Sequence, residues 1–172
     1  MNDMNEGIPI GNAEWQEILK SIPVVCDITD TTAEGVIRQV LQTVLERNDL
    51  PMDKLDAMVS AVIAHSLGDI GFAAMHGLAI PHGYISGLEK LLVGIGVLRH
   101  GHSIDFNAMD GSRTHIFFVL VCSSPNHAGY RQFLARLCKC LISDDMVSRL
   151  ASVSTSNDLE TLLSGVGDIE EK

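Results

Sequence analysis

The residues of this chain best suited to chemistry are its histidines, of which there are seven. A neutral imidazole is a nitrogen nucleophile, and a reference pKa of about 6.5 leaves most of it uncharged near neutral pH. His82 differs from the others because it follows Ala79-Ile80-Pro81 and precedes Gly83. Proline restricts the backbone before the ring, and Gly83 lets a ligand approach the chain closely. His82 is therefore the candidate nucleophile, and the alternative is a loop histidine that only bonds a backbone carbonyl.

The spacing of the other reactive residues argues against metal and hydrolase sites. No histidine spacing matches a zinc-ligand pattern on a helix. Cys138 and Cys140 stand two residues apart, which on a helix turns their side chains about 200° from each other. A hydrolase that used His82 with Asp105 or Asp110 would lack a nucleophile motif such as Gly-x-Ser-x-Gly. The sequence therefore predicts no metal and no cofactor.

Composition and charge narrow the class of protein. The chain has 172 residues, of which 46% are hydrophobic and 20% charged, as in an ordinary globular domain. Its formal net charge is −10, and no stripe of Lys and Arg is present, which argues against nucleic acid and anionic membranes as partners. Its apolar runs are far shorter than the roughly 20 residues of a membrane-spanning helix. Because the N-terminus also lacks the make-up of a signal peptide, we expect a cytoplasmic protein without direct membrane insertion.

One domain is expected over residues 10–164, between a flexible N-terminus at residues 1–9 and a flexible acidic tail at residues 165–172. The cysteines all lie in apolar segments of a chain without an export signal. We therefore expect reduced, buried thiols. They are Cys26, Cys122, Cys138 and Cys140.

Two helices in the first half of the chain are predicted to form a hairpin. Residues 31–34, Thr-Thr-Ala-Glu, have the capping-box pattern, and residues 36–45 continue it with an apolar face of helical period. Pro51 marks the start of a second amphipathic helix, whose apolar face spans residues 55–63. Residues 47–51 are expected to join the two helices.

The second half of the chain predicts strands followed by helices. Residues 91–98 are typical of a strand, and the nearly continuous apolar run at residues 114–122 is typical of a central strand buried on both faces. Asp110-Gly111 predicts a tight turn between them. Ser124-Pro125 predicts the start of a helix, whose apolar stripe runs from Tyr130 to Leu141. The shorter expected elements are a helix at 12–21, strands at 23–28 and 104–106, a turn at 100–102, and helices at 144–151 and 156–164. This order predicts an α/β sandwich with a central mixed β-sheet flanked by helices.

Five features in this order resemble the enzyme IIA domain of the fructose/mannitol type, a family that includes the nitrogen-regulatory enzyme IIA proteins of the bacterial phosphotransferase system. The resemblance covers roughly residues 10–164. The features are residues 77–83, the strand at 91–98, residues 103–106, Asp110-Gly111 and the strand at 116–121. The resemblance implies that the histidine after Ala-Ile-Pro, here His82, accepts a phosphoryl group from an HPr-like phosphocarrier protein. It further implies transfer to a cysteine or histidine of an enzyme IIB partner.

The chain departs from the family around this histidine. Tyr130 stands where the family has a second histidine. His127, one helical turn earlier, could lie on a similar face and partly replace that histidine. His65-Ser66 and Gly71-Phe72 replace an Arg-Glu pair and a Ser-Thr pair upstream of the acceptor. A cation and two hydroxyls that the resemblance implies near the phosphate are therefore missing. His65 itself is expected at a helix C-terminus, where a partial positive charge is favourable.

Several residues could compensate for these replacements. The Tyr130 hydroxyl could donate a hydrogen bond to a phosphate oxygen, and Arg113, His115 and His76 could supply positive charge. Two functions remain open. The first is a phosphohistidine carrier of the phosphoenolpyruvate-dependent phosphotransferase system, in a regulatory role. The alternative is an enzyme IIA-like module, impaired in phosphorylation, that regulates a transporter or kinase by protein contact.

Overall fold

The computed structural model describes residues 11–68, 76–125, 127–141 and 144–164. Within these ranges the chain forms five strands and six α-helices. The strands are β1 (Val24–Ile28), β2 (Leu78–Ala79), β3 (His82–Tyr84), β4 (Leu92–Leu98) and β5 (Ile116–Cys122). The helices are α1 (Asn12–Ser21), α2 (Ala33–Arg47), α3 (Leu55–Gly68), α4 (Ala128–Cys140), α5 (Asp144–Leu150) and α6 (Ser156–Leu163), with a 3-10 turn at Met52–Lys54.

The strands form one mixed sheet with β5 in its middle. The order is β1, β4, β5, and both β2 and β3 pair with the other edge of β5. The β4–β5 pair is antiparallel, whereas the β1–β4, β2–β5 and β3–β5 pairs are parallel. Every residue of β5 is buried, as its continuous apolar run predicts for a strand covered on both faces.

Alternation along β5 divides the core between the two faces of the sheet. Phe118 packs with Trp15 of α1 and Phe133 of α4, whereas Phe117 packs with Val40 of α2 and with residues of α3. Successive side chains of a strand point to opposite faces, so the apolar run supplies both layers. The predicted hairpin of α2 and α3 is confirmed, since both helices cover the same face and contact each other.

The first and last helices of the described chain are tied together at Trp15. Its indole N–H donates to the Leu163 carbonyl at 3.2 Å inside the core. The Arg136 guanidinium lies 5.0 Å from the indole ring centre and donates to the Asn12 side chain at 2.7 Å. The amino-terminal helix is therefore held by α4 and by the end of α6.

The predicted capping box of α2 is wrong by one residue. The N-cap is Thr32, whose hydroxyl accepts a bond from the Gly35 N–H at 3.1 Å. Gly35 occupies the third helical position and has no side chain to return the bond. The Asp30 carboxylate instead accepts from the Thr32 N–H at 2.9 Å, and so braces the cap from the preceding turn.

The predicted start of α4 at Ser124-Pro125 is also wrong. The helix begins at Ala128, and His127 is its N-cap. The His127 Nδ1 accepts from the Tyr130 N–H at 3.2 Å, while the Ser124 carbonyl accepts from the His127 N–H in the turn before the helix. A backbone N–H in the first turn of the helix, which has no partner within the helix, is therefore bonded by an imidazole and not by a serine hydroxyl.

The predicted strand at residues 104–106 is reduced to one bridge, between Ile104 and Thr114. The Asp105 side chain accepts from the Asn107 N–H at 3.2 Å, and Asn107 has a positive φ of 51°. This side-chain turn draws the backbone away from the sheet. The turn expected at Asp110-Gly111 is present, with the Gly111 N–H bonded to the Ala108 carbonyl.

The expectation that all four cysteines are buried is wrong for two of them. All are thiols, but Cys26 and Cys138 are exposed, whereas Cys122 and Cys140 are buried. Burial raises the pKa of Cys140 to about 11, so this thiol stays protonated near neutral pH. Every helix in the described ranges is too short or too polar to cross a lipid bilayer. Residues 1–9, 165–172 and Gly71-Phe72 lie outside the described residues.

Candidate functional site

His82 begins β3 and lies in the core of the molecule, with 2% of its surface exposed. Register with β5 places it opposite Leu120, whose N–H bonds the Pro81 carbonyl at 3.0 Å. Pro81 has no N–H of its own, and it lies between β2 and β3. The histidine is thus held by a strand rather than by a loose loop.

The tautomer of His82 follows from its partner. Its Nδ1 lies 3.0 Å from the Ile80 carbonyl oxygen. A carbonyl oxygen can only accept a hydrogen bond, so Nδ1 carries the proton and donates. In the neutral ring, Nε2 then holds the lone pair that a nucleophile needs.

Among the described residues, three aromatic side chains pack around His82 and form with it the His82 cluster, defined as His65, His82, Tyr84 and Tyr130. The His65 ring centre is 4.5 Å from that of His82, with the planes at 64°. The Tyr130 and Tyr84 ring centres are 5.8 and 6.0 Å from it. His65 also meets Tyr84 edge to face at 5.0 Å, so the four rings pack as one unit.

Gly83 brings α3 and its His65 close to the strand. A Cβ at Gly83 would lie 2.7 Å from the Val62 backbone nitrogen and 2.8 Å from the Ala61 carbonyl carbon. Only a residue without a side chain permits this approach, and His65 follows Val62 by about one helical turn. The backbone of α3 therefore fills the space on the Cβ side of Gly83, and the expectation that Gly83 lets the backbone come close to a phosphate stays a prediction.

The two tyrosines bring hydroxyls to the cluster. Tyr84 lies two residues after His82 on β3, and Tyr130 lies buried in the first turn of α4. The Tyr84 hydroxyl donates to the Tyr130 hydroxyl at 3.3 Å. Burial, and then the hydrogen bond with Tyr84, raise the pKa of Tyr130 far above its usual range. Tyr130 therefore keeps its proton, and since it accepts from Tyr84, that proton can be donated to a third group.

His127 helps to position Tyr130 from the start of α4. It lies before Tyr130 in sequence, as expected, but its Nδ1 is used to cap α4 through the Tyr130 N–H. The ring thus fixes where the helix begins, and with it the position of the Tyr130 side chain.

Arg113 and His115 lie at the other end of β5. Leu78 pairs with Ile116, next to His115, whereas His82 pairs with Leu120. A strand advances about 3.3 Å per residue, so His115 is about 16 Å from Leu120 along β5. The His115 ring packs against Gly77, where a Cβ would be 2.2 Å from it, and burial lowers the pKa of His115.

Arg113 and His76 have their own partners at that end. The Arg113 guanidinium donates to the Ser103 hydroxyl and carbonyl, both at 2.9 Å. The His76 backbone N–H donates to Asp110 at 2.8 Å. The charge that these residues were expected to bring to His82 is therefore located at the far end of the strand.

His65 and Tyr84 are the members of the cluster that sequence reasoning missed. For His65 the sequence predicts only a place at a helix C-terminus, although it stands where the resembling family has an arginine. Tyr84 carries a periodic signal, since alternate residues of a strand share a face. Within the described residues, no group of three His, Cys, Asp or Glu side chains is arranged to hold a metal ion.

Comparisons with known proteins agree with the resemblance. Residues 17–165 match the model of the family described as "Phosphoenolpyruvate-dependent sugar phosphotransferase system, EIIA 2". The chain is similar to the PTS system fructose-specific EIIA component of Haloferax volcanii, 24% identical over 135 residues, which cover 78% of this chain and 84% of that protein. It is also similar to the nitrogen regulatory protein of Pseudomonas aeruginosa, 29% identical over 128 residues, which cover 73% of this chain and 80% of that protein.

The fold is shared with solved structures. One is the nitrogen regulatory protein IIA-Ntr from Neisseria meningitidis, with a TM-score of 0.68 and 21% identity over 86% of this chain and 99% of that chain. At this identity the likeness concerns the fold, and it confirms the predicted sandwich with a central mixed sheet.

Proposed function

Since the chain belongs to the EIIA 2 family of the phosphoenolpyruvate-dependent sugar phosphotransferase system, we propose that it carries a phosphoryl group on His82. The observation that carries the proposal is the hydrogen bond from His82 Nδ1 to the Ile80 carbonyl. It orients the ring and leaves Nε2 as the nucleophilic nitrogen.

The proposed reaction begins with an HPr-like donor in the cytoplasm. The lone pair of His82 Nε2 attacks the phosphorus of the donor's phosphoryl group, and the bond between phosphorus and the donor atom breaks. The proton on Nδ1 stays in its bond to the Ile80 carbonyl throughout. Catalysis of such a transfer rests on positioning and on stabilisation of charge. The product can pass the group on to an enzyme IIB partner by the same displacement in reverse.

Neutral hydroxyls are the proposed stabilisers of the transferred group. Tyr130 stays protonated and accepts from Tyr84, so its own proton is suited to a phosphoryl oxygen. His65 and Tyr84 are only partly buried, unlike His82. A donor that approaches His82 from the side of these two rings therefore meets them first.

A regulatory role is the form of this function that we favour, with a specific alternative. The curated relatives comprise both a fructose-specific component and a nitrogen regulatory protein, so family membership alone fits transport and regulation. The alternative is a module that regulates a transporter or kinase by contact, with phosphorylation weak. It is favoured by the 2% exposure of His82, which restricts access to the acceptor.

Labelling with radioactive phosphoenolpyruvate, enzyme I and HPr tests the proposal. We expect acid-labile phosphate on the wild type, its loss in His82→Ala, and its retention in His115→Ala, the matched histidine at the other end of β5. Label that persists in His82→Ala would assign the acceptor elsewhere. A wild type that takes up no label, while HPr in the same tube does, would favour the contact-only alternative.

A further inference from the structure

The His65 ring contacts His82 edge to face and is held in place from two sides. Its centre is 4.5 Å from His82 and 5.0 Å from Tyr84. The close packing of α3 on Gly83 fixes the helix that carries it. The imidazole is thus prepositioned beside the proposed acceptor rather than brought there by a flexible side chain.

We propose that His65 is the ionisable partner of the phosphoryl group on His82, and that its protonated form stabilises the phosphorylated state of this chain. The inference rests on the proposed function. A phosphoryl group carries up to two negative charges, and a cation within contact distance of it is favoured strongly when both are shielded from water.

In the described part of the chain, the rings that pack against His65 are His82 and Tyr84 of β3, and Tyr130 of α4 lies next to both of them. Tyr130 remains neutral. Phosphorylated His82 can still lose its Nδ1 proton, so a comparison with a His65 variant is needed to separate the charge of His65 from that of His82. His65 also lies in the last turn of α3, where the carbonyl ends of the helix favour a positive charge.

The sign of the pH effect follows from linkage. If protonated His65 stabilises the phosphoryl group, phosphorylation must move the titration of His65 to higher pH by the same factor. The added stability of the phosphorylated form is then fully present at pH values below the midpoint of the His65 titration in the unphosphorylated protein. It is lost as the pH rises through the midpoint of the His65 titration in the phosphorylated protein. We expect a factor of about ten, or about one pH unit, as for one charge-assisted hydrogen bond.

An NMR titration of the wild type tests this without any substitution. The His65 ring signals, assigned by their absence in His65→Gln, are followed between about pH 5 and 8.5, across the range in which imidazole titrates, before and after phosphorylation. We expect the midpoint to rise by about one unit in the phosphorylated protein. A midpoint that is the same in both states overturns the proposal.

Phosphorylation of matched variants gives a second test. Wild type, His65→Gln, His65→Arg and a control are labelled at each pH from one phosphorylated HPr preparation. The control is His100→Gln, because His100 is exposed to solvent in the turn after β4. The ratio of label on the wild type to label on His65→Gln should fall about tenfold from low to high pH. The label on His65→Arg should stay high at every pH, and the label on His100→Gln should follow that of the wild type. A flat ratio overturns the role of His65 and leaves His82 as the acceptor, whereas a wild type without label at any pH overturns both proposals.

Discussion

The α-carbon of Gly83 lies against the backbone of Val62, so close that a Cβ on Gly83 would be 2.7 Å from the Val62 nitrogen. This contact sets the distance between β3 and α3. Because His82 lies on the strand and His65 on the helix, it also sets the distance between their rings.

Gly83→Ala is therefore expected to push α3 from the sheet. The added methyl group meets backbone atoms, which cannot rotate away, and overpacking of this kind costs about 1–3 kcal/mol of unfolding free energy. Urea denaturation measures the loss. Gly11→Ala is the control, because nothing lies within 4 Å of a Cβ there and only a helix-cap preference is at stake. Equal losses in the two variants would contradict the role of the Gly83–Val62 contact.

Tyr130→Phe should slow phosphorylation of His82 by about tenfold, since it removes a hydroxyl donor to the phosphoryl group while the ring remains in the core. Transfer rates from phosphorylated HPr measure the effect. Tyr84→Phe should lose less, because it removes only the bond that Tyr130 accepts. A larger loss in Tyr84→Phe would show that the Tyr84 hydroxyl is the one that contacts the phosphoryl group.

His127→Ala should destabilise the protein by about 1 kcal/mol, the usual cost of removing an N-cap. The Tyr130 N–H would lose the Nδ1 acceptor that it now has at 3.2 Å. His127→Ser should restore the stability, because a serine hydroxyl accepts the same bond. Thermal and urea unfolding of the three proteins provide the comparison, and identical stabilities of the alanine and serine variants would rule out the capping role.

Asp110 should stabilise the fold in a pH-dependent way. The His76 backbone N–H, followed by the Ser112 side chain and backbone, lowers the pKa of Asp110 from 3.8 to about 2. A depressed pKa means that the stabilisation is present above about pH 4 and lost as the pH falls through about 2. The difference in unfolding free energy between wild type and Asp110→Asn should shrink over this interval. A difference in unfolding free energy that stays constant with pH would show that the charge of Asp110 is not what stabilises the fold.

Local signals predicted most of the elements. The apolar period of α2 and the continuous apolar run of β5 are each imposed by burial, on one face for the helix and on both faces for the strand. The caps were harder to predict because a backbone N–H donates to any suitably placed acceptor. The N-caps are Thr32 and His127, whereas the capping patterns predicted Thr31 and Ser124.

From the sequence, His82 is the candidate nucleophile because of its neighbours and its imidazole chemistry, which are local features, and the resemblance to the enzyme IIA family implies that it is the acceptor. The residues that accompany it are set by tertiary packing. His115 directly precedes β5 in the chain, whereas the parallel pairing of β3 with β5 places His82 opposite Leu120, toward the other end of that strand. The packing of α3 on Gly83 brings His65 into the cluster instead. These distances depend on register and helix packing between segments far apart in the chain, and no local pattern encodes them.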